Sequence, residues 1–390
     1  MMFNTNSPWS PSGYGQEMDE LAPLIRDEGY PLALICFYGL EGNKVMLEGR
    51  HHDIPMYPKI ASVWGDDAMV NHQKDFNADV IFTFQDIWTL DTRALDNLKC
   101  WVALVPIDHN PVPPAIFERL KHAYRVVTYS KFGHDELQRQ GMHSTYIQHT
   151  VDTNIYKPLQ DKSEIRKKIG IPEDIFLFGM VSANKDNPPR KSFQEVMDAF
   201  KLFHDKHPKS GLYLHTMFEQ SGGFPIAEYA KVLKIQDFIY HVQPYEYLFK
   251  IDKEGMANIY NTFDCLLCPS TNEGFGLPII EAQACSIPVI TNDFTSTPEL
   301  IIEGETGFKC DVLYHRFTPL LSFIGIPDVK SIYNCMEKMF NADRVKMGVK
   351  AREYTVENYD TKKIFKEKWV PFLSKLSLEI CPTVDTKEMK

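Results

Sequence analysis

Short apolar runs alternate with amphipathic stretches along the whole chain. In the first half, the runs Leu32–Tyr38, Asp79–Phe84, Trp101–Ile107, Arg125–Tyr129 and Thr145–His149 predict strands. Between them, a helix is predicted over about Gly15–Asp27. Met18, Leu21 and Ile25 share one of its faces, and Gly29 is its stop signal. A second helix is predicted over Pro113–Ala123, with proline in its first turn. The second half repeats the theme. Strands are expected at Phe176–Ser182, Leu212–Met217, Phe238–Val242, Cys265–Cys268 and Val289–Thr291. Helices are expected at Ser192–His207, Leu277–Cys285 and Asp328–Phe340. The polar stretch Asn154–Pro172 reads as a linker. Thr361–Leu376 reads as a terminal helix with Ile364, Phe365, Trp369 and Phe372 as its apolar positions. Strands alternating with helices in both halves imply an α/β protein of two Rossmann-like, doubly wound parallel sheets facing across a cleft. Ligands bind such sheets at the carboxyl ends of their strands, so the loops after strands should carry the chemistry.

The length of 390 residues agrees with two or three domains. A formal net charge of −10 argues against a nucleic-acid partner, but a local cationic pocket for phosphate remains compatible with it. Of the eight cysteines, Cys265 and Cys268 have the spacing of a metal half-site. They lie inside an apolar run, and no second Cys or His pair stands at zinc-like spacing. Buried free thiols are therefore expected, and no metal site. Met1–Asn6 lacks the basic region and long apolar stretch of a signal peptide, and no apolar run approaches a bilayer span. The expectation is a cytoplasmic protein, at most peripheral to the cytoplasmic face of a membrane.

Four segments at strand ends carry candidate chemistry. The first is Pro269-Ser270-Thr271-Asn272-Glu273-Gly274-Phe275-Gly276-Leu277-Pro278-Ile279-Ile280-Glu281-Ala282, which follows an apolar strand and opens a helix. Gly274 and Gly276 permit close backbone approach to a ligand. The amides of the helix start would stabilise a diphosphate. Glu273 and Glu281 each suit a vicinal diol, because a carboxylate accepts two hydrogen bonds. The second segment, Ser182–Ser192, offers Lys185, Arg190 and Lys191 to a pyrophosphate leaving group, the alternative being a solvated basic loop. The third, Asn6–Gln16, contains Gly13 and Gly15, and alone would be read as a plain turn. The fourth, Val105–Pro111, carries His109 off a strand end. A lone histidine is more often structural than catalytic.

The first string resembles the Glu-x7-Glu signature of retaining GT-B glycosyltransferases of family 4, the glycosyl transferases group 1. The likeness continues through Ala284–Ile290, Pro298-Glu299 and Gly304–Phe308. It implies that Glu281 holds the nucleotide ribose and that Glu273 contacts the donor sugar. Gly274, Phe275, Gly276 and Leu277 would then line the donor. The family places an arginine and a lysine about six residues apart in the basic loop. Lys191 matches the lysine, and Lys185 and Arg190 both remain candidates for the arginine. The loop with Gly13 and Gly15 resembles the one beneath the donor and beside the acceptor, and His109 stands where a histidine contacts the donor sugar. Tyr129-Ser130-Lys131-Phe132 and His149–Pro158 match further strand ends, with Thr150 in place of glycine. The family usually has glycine at Ser286 and a Gly-Gly pair around Thr295-Ser296.

The resemblance implies an acceptor-side domain over 1–158, joined by a C-terminal helix over 359–378, and a donor-side domain over 159–358. It implies a hexosyltransferase that moves sugar from a nucleoside-diphosphate sugar, UDP- or GDP-linked, to a hydroxyl of a glycan, lipid or small molecule. The catalytic group would comprise Glu273, Lys191 and His109. No Asp-x-Asp triplet occurs, so the cations and helix start would serve in place of a divalent ion, with no cofactor. The acceptor would attack the face from which the diphosphate leaves, the departing phosphate acting as base, and domain closure would exclude water. Alternatives sharing the fold are a sugar-nucleotide epimerase, a phosphorylase, or a non-catalytic sugar-binding scaffold. A dehydrogenase is disfavoured because no strand is followed by Gly-x-Gly-x-x-Gly.

Overall fold

The computed structural model describes residues 1–380 and divides the chain into two units. The first comprises Met1–Ile107, Val112–Thr150 and the chain from Thr361 onward. The second comprises Asp108–Pro111 and Val151–Asp360.

The first unit is built on eight strands: β1 (Met2–Asn6), β2 (Ala33–Tyr38), β3 (Val45–Met46), β4 (Pro55–Pro58), β5 (Ile81–Phe84), β6 (Trp101–Val105), β7 (Arg125–Thr128) and β8 (Thr145–Tyr146). Their order in the sheet is β3-β4-β2-β1-β5-β6-β7-β8. Every pairing is parallel except β3 with β4. Strands covered on both faces are buried along their whole length, and every residue of β1, β5 and β6 is buried. Asn4, Thr5, Asn6 and Thr83 are the polar members of those three strands. The helix Gly13–Asp27 buries Met18, Leu21 and Ile25, as its periodicity predicts. It starts two residues early because the Ser12 side chain caps it, accepting from Gly15 N–H. The strand expected to reach Ile107 stops at Val105, where Pro106 has no N–H to donate. The expected strand Thr145–His149 shrinks to two residues.

The second unit holds β9 (Phe176–Val181), β10 (Ser210–His215), β11 (Ile239–His241), β12 (Cys265–Cys268), β13 (Val289–Asn292) and β14 (Gly307–Cys310). They form an all-parallel sheet ordered β11-β10-β9-β12-β13-β14. The helices Phe193–Lys206 and Val329–Asn341 cover one face. Phe178 meets Phe203 edge-on at 5.1 Å between ring centroids. On β9, Gly179 leaves room for the Phe263 ring, which a Cβ there would meet at 2.2 Å. An antiparallel hairpin, β15 (Val312–Phe317) with β16 (Phe323–Pro327), was not anticipated. Nor was the helix Arg344–Tyr359.

The stretch read as a linker contains the helix Ser163–Lys168, and its Arg166 is buried among backbone carbonyls of the second unit. The terminal helix is not one regular helix. Thr361–Ile364 leads into a π-helical turn, Phe365–Trp369, and then Val370–Ile380. Pro371 supplies no N–H for the regular ladder, and the wider turn absorbs that loss.

Candidate active site

β9, β12 and β13 are neighbours in the second sheet, so the loops at their carboxyl ends adjoin. Those loops run through 182–192, 269–276 and 293–297. The β9 and β12 loops are tied backbone to backbone, Thr271 N–H donating to the Arg190 carbonyl at 2.9 Å. Glu273 is buried at their junction. Its Oε1 accepts from Lys191 Nζ, and its Oε2 lies 3.3 Å from Arg190 Nη1. The same Arg190 nitrogen donates to the Asn272 carbonyl at 2.7 Å. Burial pushes the Glu273 carboxyl up, but Lys191 and Arg190 outweigh it and hold the group down to about 2. Glu273 is therefore ionised throughout the neutral range, with two cations packed against it. Lys185 is exposed to solvent. The structure thus brings Arg190, and not Lys185, to the carboxylate beside Lys191.

A second polar chain reaches the same loop. His109 Nδ1 is 2.6 Å from Asp108 Oδ1, and Asp108 Oδ2 accepts from Asn272 Nδ2 at 2.7 Å. Thr271 Oγ1 donates to Asn272 Oδ1 at 2.8 Å. The carboxylate accepts from Nδ1–H and so fixes the orientation of the imidazole ring. Burial raises the Asp108 carboxyl, yet the His109 hydrogen bond, with help from the His109 and Arg190 charges, brings it below its ordinary value. Asp108 and Asn272 had no role in the sequence reading. Both stood inside the quoted strings, but nothing local shows that residues 164 apart share a hydrogen bond. The hairpin fixes the His109 segment. Asn110 and Phe323 exchange backbone hydrogen bonds at 3.2 Å, and Ser322 Oγ donates to the Pro111 carbonyl. Gly325 N–H donates to the Thr271 carbonyl at 2.9 Å, so one hairpin holds both segments.

The β13 loop carries the two departures from Gly-Gly. Thr295 takes φ +54°, in the left-handed region, so the backbone keeps a conformation that glycine would adopt freely. Ser286 likewise has φ +62°. The Thr295 hydroxyl accepts from Glu273 N–H at 3.3 Å. Ser296 Oγ lies 2.8 Å from the Glu273 carbonyl and 2.9 Å from that of Phe275, positioned to donate to them. These hydroxyls brace the Glu273 loop instead of leaving an open glycine bend.

The helix Leu277–Ala284 begins after Gly276, whose φ is +117°. The expectation of a row of amides at its start needs correcting. Pro278 has no N–H, Ile279 N–H donates to the Gly276 carbonyl at 3.0 Å, and Glu273 N–H is taken by Thr295. Fewer donors face a ligand here than the string suggested. Gly274 is partly exposed, Leu277 half-buried, and Phe275 is buried with its ring edge-on to Tyr359 at 5.9 Å. Glu281 is buried, and its Oε2 accepts from the Tyr260 hydroxyl at 2.6 Å.

Gly13 and Gly15 belong to the first unit. Gly13 is exposed. Gly15 packs so tightly that a Cβ would lie 2.6 Å from the Ser10 carbonyl, which gives it a structural reason to be glycine. Cys265 and Cys268 stand three apart on β12, so their side chains leave opposite faces of the sheet. Burial pushes the Cys268 thiol up to about 12. Cys381 lies outside the described residues. Among the described residues no group of three or more His, Cys, Asp or Glu could hold a metal ion, and no helix is long and apolar enough to cross a membrane.

Residues 161–313 match the family model described as Glycosyl transferases group 1. They contain Lys191, Arg190, Glu273, Asn272 and Glu281. The chain carries a glycosyl transferases group 1 domain. Its fold is GT-B. Sucrose-phosphate synthase from Thermosynechococcus elongatus superposes with a TM-score of 0.75 over 96% of this chain and 98% of that one, at 15% identity. HepE from Anabaena, solved in complex with UDP-glucose, superposes with a TM-score of 0.70 over 96% and 99%, at 16% identity. Among curated relatives, N-acetyl-alpha-D-glucosaminyl L-malate synthase of Bacillus anthracis is 26% identical over 215 residues, 55% of this chain and 49% of that protein. The chain thus spans about half the length of that relative. The O-antigen chain mannosyltransferase B of Escherichia coli is 38% identical over 65 residues, 17% of this chain and 16% of its own length. The matched region covers the loops after β9, β12 and β13, whereas Gly13, Gly15 and His109 precede it.

Proposed function

We propose that the protein is a retaining hexosyltransferase that moves a sugar from a UDP- or GDP-sugar to a hydroxyl acceptor without a metal ion or cofactor, in the cytoplasm. The observation that carries this reading is the pairing of Lys191 and Arg190 on the ionised, buried Glu273. Two cations at adjoining strand ends suit a nucleoside diphosphate that gains charge as it leaves. Glu273 accepts hydrogen bonds from hydroxyls of the transferred sugar. His109, with Asp108 on Nδ1, presents Nε2 to the same sugar. The acceptor hydroxyl gives its proton to a departing phosphate oxygen as its own oxygen bonds to the anomeric carbon. No protein nucleophile is needed. The named activities of the group 1 relatives and the UDP-glucose complex of HepE support a nucleotide-sugar donor.

Glu281 is assigned to the ribose. Glu281→Gln keeps the shape and the partner of Tyr260 but removes the charge, and should weaken nucleoside diphosphate binding by about 1–3 kcal/mol with the fold intact. Calorimetry with UDP and GDP reads this directly; unchanged affinity would take the ribose away from Glu281. Metal independence is tested separately. Donor hydrolysis and transfer should survive EDTA. Complete loss, restored by manganese, would show that the cations do not do the work assigned to them.

A further inference from the structure

The first unit exposes large aromatic side chains, and their placement is uneven. Trp9 is 47% exposed, Tyr38 51%, Trp64 38% and Trp88 44%. Trp9 follows β1, Tyr38 ends β2, Trp64 follows β4 and Trp88 follows β5. All four sit at the carboxyl edge of one parallel sheet, where β4, β2, β1 and β5 are consecutive. Ile60 and Val63 are exposed between them, on the loop after β4. Apolar surface concentrated in this way marks a binding face.

The loops that hold these rings are stitched together. Trp9 Nε1 donates to the Gly39 carbonyl at 2.8 Å, and Ser10 Oγ to the Tyr38 carbonyl at 3.1 Å. The fit demands glycine at position 39, whose φ is +94° and where a Cβ would lie 2.0 Å from Ser7 Oγ. The Trp64 carbonyl accepts from Asn4 Nδ2 at 3.1 Å, and its ring meets Phe37 edge-on at 6.0 Å. Asp66 Oδ2 accepts from Asp91 N–H at 3.0 Å, joining the Trp64 loop to the Trp88 loop. Loops already tied together cost little entropy to use.

We propose that this edge is the acceptor-binding surface and that the acceptor is a neutral carbohydrate chain whose rings stack on Trp9, Tyr38, Trp64 and Trp88. The inference rests on the transferase reading above and names its acceptor class. A pyranose presents a face of polarised C–H bonds, which the negative face of an aromatic ring attracts, while its hydroxyls need polar neighbours at the rim. The charges nearby exclude an anionic surface as the occupant. Lys59 is paired to Glu41 at 3.0 Å, Asp66 and Asp67 open the helix that follows the Trp64 loop, and Asp86 precedes Trp88. An anionic membrane calls for clustered lysine and arginine instead.

Tryptophan fluorescence tests the proposal without donor or turnover, because Trp9, Trp64 and Trp88 are exposed while Trp101 and Trp369 are buried. The probes are cello-, chito-, manno- and maltotetraose, each titrated to about 10 mM, well above the millimolar limit of weak specific binding. At least one should change the emission saturably. Trp9→Ala and Trp88→Ala should each weaken that binding about 10-fold, the scale of one aromatic stacking contact, and Trp→Tyr at either position should restore most of it. The tyrosine variants carry the test if circular dichroism shows an alanine variant misfolded. UDP and GDP are titrated by calorimetry on the same samples. Binding of either nucleotide with no response to any tetraose overturns the inference and leaves the donor reading standing. Tetraose binding with neither nucleotide bound overturns the donor reading, while the surface still binds carbohydrate. An emission shift on phosphatidylcholine or phosphatidylglycerol vesicles, with none on sugars, overturns it in favour of a lipid surface.

Discussion

Lys191→Ala should lower kcat at least ~100-fold with little change in KM, the loss expected when one preorganised charge-stabilising donor is removed. Lys191 meets Glu273 at the junction of two strand-end loops. If it stabilises charge that grows as the sugar–phosphate bond breaks, its absence is felt in the transition state more than in the ground state. The structure sharpens the comparison among the three cations. Arg190 shares Glu273 and also holds the Asn272 carbonyl. Arg190→Ala should therefore show a loss of similar size. Lys185 is exposed, and Lys185→Ala should keep near-normal kcat and change only its salt dependence. Steady-state kinetics with circular dichroism on each variant decides the matter. Near-normal kcat in Lys191→Ala would remove the main support for the phosphate site. A large loss in Lys185→Ala with none in Arg190→Ala would reassign the arginine role.

Arg166→Ala should cost about 3–5 kcal/mol of stability and lower Tm by roughly 10 °C. The guanidinium is nearly fully buried. It donates to the carbonyls of Thr262, Glu173 and Ile175, and to Asp264 Oδ2 at 2.8 Å. Its removal leaves those acceptors unpaired and Asp264 with only Lys162, at 3.0 Å, as a cation. Burial alone would raise the Asp264 carboxyl, but Lys162 and Arg166 hold it below its ordinary 3.8. A depressed carboxyl stabilises the fold above that unfolded value, and the contribution is lost as pH falls through the lower folded value. The variant should therefore lose less stability on acidification than the parent. Thermal melts at neutral and acid pH check both statements. A shift of under 2 °C at neutral pH would show that this buried network is dispensable.

The amino-acid sequence alone determined the architecture class and the addresses of the chemistry. Its alternating apolar runs are local signals, repeating over a few residues, and they place β9, β12 and β13, the helix Phe193–Lys206 and the helix Leu277–Ala284 to within about two residues. The string around Glu273 could be read for the same reason, since glycines, carboxylates and helix start lie within fourteen consecutive positions. Pairings that cross the sheet were another matter. Periodicity says which side of its own strand a residue takes, but not which strand lies beside it. Only the order β9-β12-β13 brings Arg190 to Glu273 and leaves Lys185 outside, a choice the four residues between Lys185 and Arg190 could not make. Only the fold joins Asp108 to Asn272, and only the hairpin β15–β16 holds their two segments together. The aromatic edge is the widest case. Trp9, Tyr38, Trp64 and Trp88 span 80 positions as isolated, unpatterned residues. They become one surface because four parallel strands deliver their carboxyl ends to the same side of a sheet.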